Sequence, residues 1–173
     1  VHDPARVAEF KLALRALPGR KVGLCWRSMM MGAKRAKYFS PIDHWGPVLK
    51  TPGISFVNLQ YGDSAGELAR AAEMFGVTVH QIDGLYLYPD IDGNTAMCPR
   101  LELELSAPTD AAATARSVGA KTWFVTAGRT WPQLGTAEYP WYADTKVFWP
   151  EKFGDWNALM PRVAEELAAF AAG

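Results

Sequence analysis

The sequence predicts an α/β protein with a mainly parallel sheet, and three observations predict it. Five short apolar runs alternate with stretches of helical periodicity along 173 residues. Most of those runs are apolar through their centres, as strands covered on both faces are. The segments between them carry the residues that stop one element and start the next.

The elements follow in order. Asp3-Pro4 supplies an N-cap acceptor and a proline at the first helical position. Val7, Phe10, Leu14 and Leu17 then recur at helical spacing until Pro18-Gly19. KVGLC (21–25) reads as a buried strand, and WRSMMMGAKRAKYFSPIDHW after it as an irregular basic loop. Residues 41–49 predict a short helix capped by Ser40, with Trp45 and Leu49 facing inward. ISFVNL (54–59) is the second strand, and residues 64–75 a helix with Leu68, Ala71, Ala72 and Phe75 on one face, closed by Gly76. Residues 77–82 form the third strand, and 90–98 a short helix ended by Pro99. LELEL (101–105) alternates strictly and predicts a half-exposed strand. An Ala-rich helix follows over 109–118, then a fifth strand, KTWFV (121–125). Residues 131–150 read as an aromatic, proline-punctuated loop, and a last helix begins after Asp155 on the stripe Leu159, Val163, Leu167, Phe170. Pro161 is expected to kink its first turns.

Composition narrows the function. Eighteen basic and 18 acidic side chains cancel, so there is no overall electrostatic footprint for nucleic acid or an anionic membrane. No run approaches the roughly 20 apolar residues of a membrane span, and the polar opening VHDPARVAEF is not a secretory leader. Cys25 and Cys98 stand alone among apolar residues, and with His2, His44 and His80 far apart no metal site is expected. Seven tryptophans are many for this length, and five of them fall between Trp123 and Trp156.

In a parallel sheet, ligands bind beyond the carboxyl ends of the strands. The first such loop brings Ser28, Gly32, Lys34, Arg35 and Lys37 together. A hydroxyl, a flexible backbone and several cations suit a diphosphate, and a solvated basic loop has the same composition. In LQYGDSAGE, Glu67 lies in the first helical turn, where it can accept from a ribose, favour the helix dipole or form a capping box with Ser64. In SAPTD, Thr109 either caps the helix that follows or adds a hydroxyl to an anion site at its N-terminus. No serine–histidine–acid or cysteine–histidine arrangement marks a nucleophile. Trp131, Trp141 and Tyr142 offer aromatic faces for a sugar or base, or staple a loop to the core.

The series GLCWRS, FSPIDHWGPVLKTPGISFVNLQYGD, LELELSAPTDAAATARSVGAKTWFV and TAEYPWYADTKVFWPEKFGDW resembles a known family over roughly residues 3–170. That family is the bacterial tetratricopeptide-repeat (TPR) proteins with a glycosyltransferase-like domain, related to O-linked N-acetylglucosamine transferases and more distantly to heptosyltransferases. The resemblance implies a Rossmann-like three-layer domain, the C-terminal half of a GT-B glycosyltransferase, with a helix or linker over 1–20 and the nucleotide-sugar-binding lobe over 21–173. It implies that Ser28, Lys34 and Arg35 approach the diphosphate, that Gln60 closes the turn beside them, that Glu67 meets the ribose and that Thr109 meets the phosphates. The donor would be a nucleotide diphosphate-sugar bound as substrate, with no cofactor and no metal. The partners implied are an upstream tetratricopeptide region, an N-terminal lobe outside the chain and a protein acceptor, in the cytoplasm of a bacterium, and the lobe by itself would be inactive. A chain that begins at Val1 agrees with a piece of a longer protein. The alternatives are a non-catalytic nucleotide- or partner-binding module and a structural Rossmann-like domain. The chain departs from the family pattern at Pro108, at Ala113 and at Arg116, which takes a glycine's place. Glu104 replaces an apolar strand residue, which predicts a wet face or an approaching Arg100 or Arg116.

Overall fold

The computed structural model describes residues 4–85, 90–109, 112–113, 118–141 and 144–173. The expected cap at Asp3, most of the helix expected over 109–118 (with Asp110 and Arg116) and Tyr142 lie outside these residues.

The first helix, α1 (Pro4–Arg15), leads into β1 (Arg20–Cys25). A single turn, α2 (Ala33–Ala36), interrupts the loop that the sequence left without any element. The helix expected over 41–49 is split into a 3-10 turn, Ile42–His44, and α3 (Gly46–Leu49). Ser40 does not cap it, because its hydroxyl donates to the Pro41 carbonyl. Trp45 and Leu49 are buried as expected. Next come β2 (Ile54–Asn58), α4 (Ala65–Phe75), which Gly76 ends at φ 67°, and β3 (Val79–His80). Beyond them lie α5 (Ile91–Met97), a 3-10 turn at Cys98–Arg100, β4 (Leu103–Ser106) and β5 (Thr122–Val125). The chain closes with β6 (Thr145–Phe148) and α6 (Trp156–Ala172), which runs through Pro161 and is capped by the Asp155 carboxylate.

All six strands are parallel, in the order β3-β2-β1-β4-β5-β6. This is the Rossmann-like order, in which the chain crosses from one side of β1 to the other between β3 and β4. The sixth strand corrects the loop expected over 131–150. Its residues Thr145 and Lys146 are only half buried at the sheet edge, and no apolar run announces it.

Strand alternation sends side chains to two cores. Val22, Leu24, Phe56, Leu103, Leu105, Trp123 and Phe148 face one side, where Val48, Leu49, Ala71, Leu159, Val163 and Leu167 cover them from α3, α4 and α6. Cys25 and Val57 face the other, covered by Phe10 and Leu14 of α1 and by Ala96 and Met97 of α5. Thus α1 shares the core of the sheet it precedes. Gly23 faces this second side, and a β-carbon there would collide with the side chains of Leu59 and Leu101.

Glu104 pairs in register with Gly23 and therefore points into the second layer. The half-exposed strand expected from LELEL is instead buried at all four residues of β4, and Glu104 itself is 1% exposed. The wet face that a charged strand residue predicts is absent. The carboxyl lies beside thiols, and burial first, then the neighbouring Glu104, keeps the Cys98 proton on sulfur.

Candidate functional site

The chain reverses across β1, so the crevice of such a sheet opens between the carboxyl ends of β1 and β4. Trp26–Ser28 leave β1 there, Ala107–Thr109 leave β4, and Gln60 follows β2.

Gln60 holds the crevice backbone in place. It is 1% exposed, and its Oε1 accepts from the backbone N–H groups of Trp26 (3.1 Å) and Arg27 (2.9 Å). Its Nε2 donates to the carbonyls of Arg27 (2.9 Å) and Tyr61 (3.0 Å). Both ends of the amide are therefore spent on the chain's own backbone. The Cys25 thiol reaches the same Oε1 at 3.7 Å and lies 3.7 Å from the Thr109 hydroxyl, which joins the β1 and β4 sides of the crevice. Burial pushes the Cys25 thiol up to about 12, so it stays protonated at neutral pH and is no nucleophile.

Glu67 is committed as well. Its carboxylate accepts from the Trp26 indole N–H at 2.8 Å and from Arg27 Nε at 2.8 and 2.9 Å, while Arg27 Nη2 also donates to the Asp63 carbonyl at 2.8 Å. The pair is largely enclosed, and hydrogen bonding to Glu67 raises the Arg27 guanidinium above its ordinary value. The capping box read from Ser64 and Glu67 does not form, because Ser64 makes no side-chain cap bond and Asp63 accepts from Ala65 N–H instead. A box does form at Thr130 and Gln133, where the sequence reading placed none.

The remaining candidates separate into groups. Ser28 is buried beside Arg27 and its hydroxyl accepts from Met30 N–H at 3.3 Å. Thr109 begins a helical turn, its hydroxyl accepting from Ala112 N–H at 3.5 Å and its carbonyl from Ala113 N–H at 3.1 Å. Lys34 and Arg35 sit exposed on α2 and make no side-chain hydrogen bond or ion pair among the described residues. Trp131 is 82% exposed after the carboxyl end of β5, whereas Trp141, 59% exposed, shortly precedes the amino end of β6. The structure thus brings Ser28, Gln60, Glu67 and Thr109 around one crevice and records no contact between Trp131 and Trp141. Sequence reasoning gave no separate role to Arg27, although a Trp-Arg pair directly after a central strand was its one available signal. Among the described residues, no group of three His, Cys, Asp or Glu side chains is placed to hold a metal ion.

By fold, the chain is a Rossmann-like α/β domain of the GT-B-like kind found in glycosyltransferases. It superposes on the glycosyl transferase family 9 structure from Veillonella parvula DSM 2008 with a TM-score of 0.66 at 12% identity, covering 99% of this chain and 51% of that one. On the E. coli ADP-heptose lps heptosyltransferase II the TM-score is 0.68 at 13% identity, with 99% and 53% covered. In sequence it is 44% identical over 171 residues to Protein FlbA of Caulobacter vibrioides (strain ATCC 19089 / CIP 103742 / CB 15), covering 98% of this chain and 29% of FlbA. The chain therefore spans under a third of that relative and about half of each solved structure. No protein-family profile matches it. No helix among the described residues is long and apolar enough to cross a membrane.

Proposed function

We propose that this chain is the donor-binding lobe of a glycosyltransferase and binds the nucleotide diphosphate part of a sugar donor in the β1/β4 crevice. One observation carries the reading. In a fold shared with glycosyltransferases over 99% of its length, the loops beyond the carboxyl ends of β1 and β4 carry a held backbone at Trp26 and Arg27, the Thr109 hydroxyl and two uncommitted cations, Lys34 and Arg35. In glycosyl transfer negative charge develops on the leaving phosphate, and cations and N–H groups already in place stabilise it. Gln60 and Glu67 then act as positioning residues that fix the backbone, and Ser28, Lys34, Arg35 and Thr109 act as ligand contacts, with no cofactor beyond the donor.

The finer reading is a lobe that works with an N-terminal lobe and a tetratricopeptide region elsewhere in a longer parent, modifying a protein acceptor in the cytoplasm. Its support is the motif resemblance and the share of FlbA that the chain leaves uncovered. A second reading, a nucleotide- or partner-binding module without transfer, is favoured by the internal commitment of Glu67 to Trp26 and Arg27.

Thermal unfolding with uridine, cytidine and adenosine diphosphates tests both. At about ten times Kd, binding stabilises the folded state by about 1.4 kcal/mol, which raises Tm by about 3–5 °C in a chain of this size. Arg35→Ala and Thr109→Ala are expected to abolish the shift while leaving the fold intact. Absence of a shift with all three nucleotides at millimolar concentration would overturn the donor lobe and the nucleotide-binding form of the second reading. Donor hydrolysis or transfer by the longer parent, measured with and without Arg35→Ala, separates the enzyme from the binder.

A further inference from the structure

We propose a second binding site at the opposite end of the sheet, for a small anion that carries at least two negative charges on a carbon skeleton, a phosphate ester or a polycarboxylate. The site is a hollow of about 360 Å³ where the end of α1, the start of β1 and the turn at Cys98–Arg100 meet. Lys11 and Arg15 enter it from successive turns of α1, Lys21 from β1 and Arg100 from the turn. Leu14, 4% exposed, and Pro99 supply apolar surface between the charges.

The charge of the hollow is not compensated from within. Its one lining carboxylate, Glu102, already accepts from the Lys21 backbone N–H at 2.7 Å and from Arg20 Nη1 at 3.4 Å. Lys21 Nζ is turned onto the Gly19 carbonyl at 2.6 Å. Lys11, Arg15 and Arg100 make no side-chain hydrogen bond or ion pair among the described residues. Arg6, Arg27, Arg70 and Lys146, by contrast, each have a carboxylate partner, Asp90, Glu67, Asp43 and Glu166 respectively, whereas Lys34 and Arg35 of the first loop share the unpaired state among the described residues. A chain with no net charge thus concentrates three unmatched cations around one concavity.

Two of those cations stand four residues apart on α1, where like charges repel, and a shared anion reverses the sign of that interaction. The three come from α1 and from a turn that the core holds through Phe10, Leu14 and Cys98, so the backbone positions they extend from are fixed by the fold. Concavity and apolar floor select a small molecule over a flat macromolecular surface, and the guanidinium forks select oxyanions. The six residues of β1, about 17 Å of strand, separate this hollow from the β1/β4 crevice. The two sites are independent.

The test is an amide NMR titration of the ¹⁵N-labelled chain with citrate and, separately, glycerol 3-phosphate, at constant ionic strength maintained with sodium chloride. Saturable shifts are expected at residues 11–21 and 99–102 with a midpoint on the order of 1 mM. Arg15→Ala/Arg100→Ala should weaken the midpoint by about tenfold or more, and Lys11→Ala by several-fold. Arg35→Ala, at the other end of the sheet, should leave it unchanged. A response to only one probe assigns the ligand class. No saturable shift in these segments with either probe at about 10 mM, or a wild-type midpoint in the double variant, would overturn the site.

Discussion

Two consecutive stretches of one loop behave oppositely. Trp26 and Arg27 are gripped from two sides, the backbone by buried Gln60 and the side chains by Glu67, while Met29–Lys37 stay exposed around the single turn of α2. The first stretch is bound by interactions made in the fold itself. The second keeps its cations unspent. Residues of similar type thus divide into those that shape a site and those left to meet something else, and the division follows burial more than chemistry.

The largest expected effect breaks the gripped half. Gln60→Ala leaves the Trp26 and Arg27 N–H groups without their acceptor, at a cost of about 2–4 kcal/mol in unfolding free energy measured with urea. If stability is unchanged, the amide does not hold this backbone. Glu67→Gln should follow at about 2 kcal/mol, because it leaves the enclosed Arg27 guanidinium without its counter-charge. Double-mutant coupling with Arg27→Met is the check, and additive losses would refute the pairing.

Alkali should act next, through Cys25. Its folded-state pKa is raised above the unfolded value, so the stability it contributes is fully present below the ordinary thiol range and is lost as pH rises toward about 12. The slope reaches about 1.4 kcal/mol per pH unit. Cys25→Ala should flatten the decline between about pH 9 and 11, leaving the contribution of Cys98, whose pKa burial also raises. An unaltered profile in that variant would assign the decline elsewhere. The smallest effect on stability belongs to the exposed half, where Arg35→Ala should change unfolding by less than about 0.5 kcal/mol. A larger loss would place Arg35 among the gripped residues.

Much of the layer order was legible because strands buried on both faces leave apolar runs, as Val22–Cys25 and Phe56–Val57 do. Edges were not. The third strand shrinks to Val79–His80 at one border, and β6 at the other lies hidden between Pro140 and Pro150 with two of its four side chains only half buried. LELEL misled by its alternation, since a period of two reports side-chain chemistry and Glu104 carries its charge into a covered layer. At the crevice, residue types pointed to loops that the fold brings together beyond the carboxyl ends of β1, β2 and β4. The partners of Glu67 lie 40 and 41 residues away along the chain, beyond any local spacing rule.

The packing of α6 bears on how the molecule is made. This last helix supplies Leu159, Val163 and Leu167 to the same layer as Val22 and Leu24 of the central strand. No two neighbouring strands of a parallel sheet can be joined by a tight turn, so each pairing waits for a crossover. During synthesis β1 leaves the ribosome before α6, and the larger core of this domain cannot close until that helix follows. Until then the domain presents apolar strand faces to its surroundings, and it should depend on chaperone protection over the interval between the emergence of β1 and of α6.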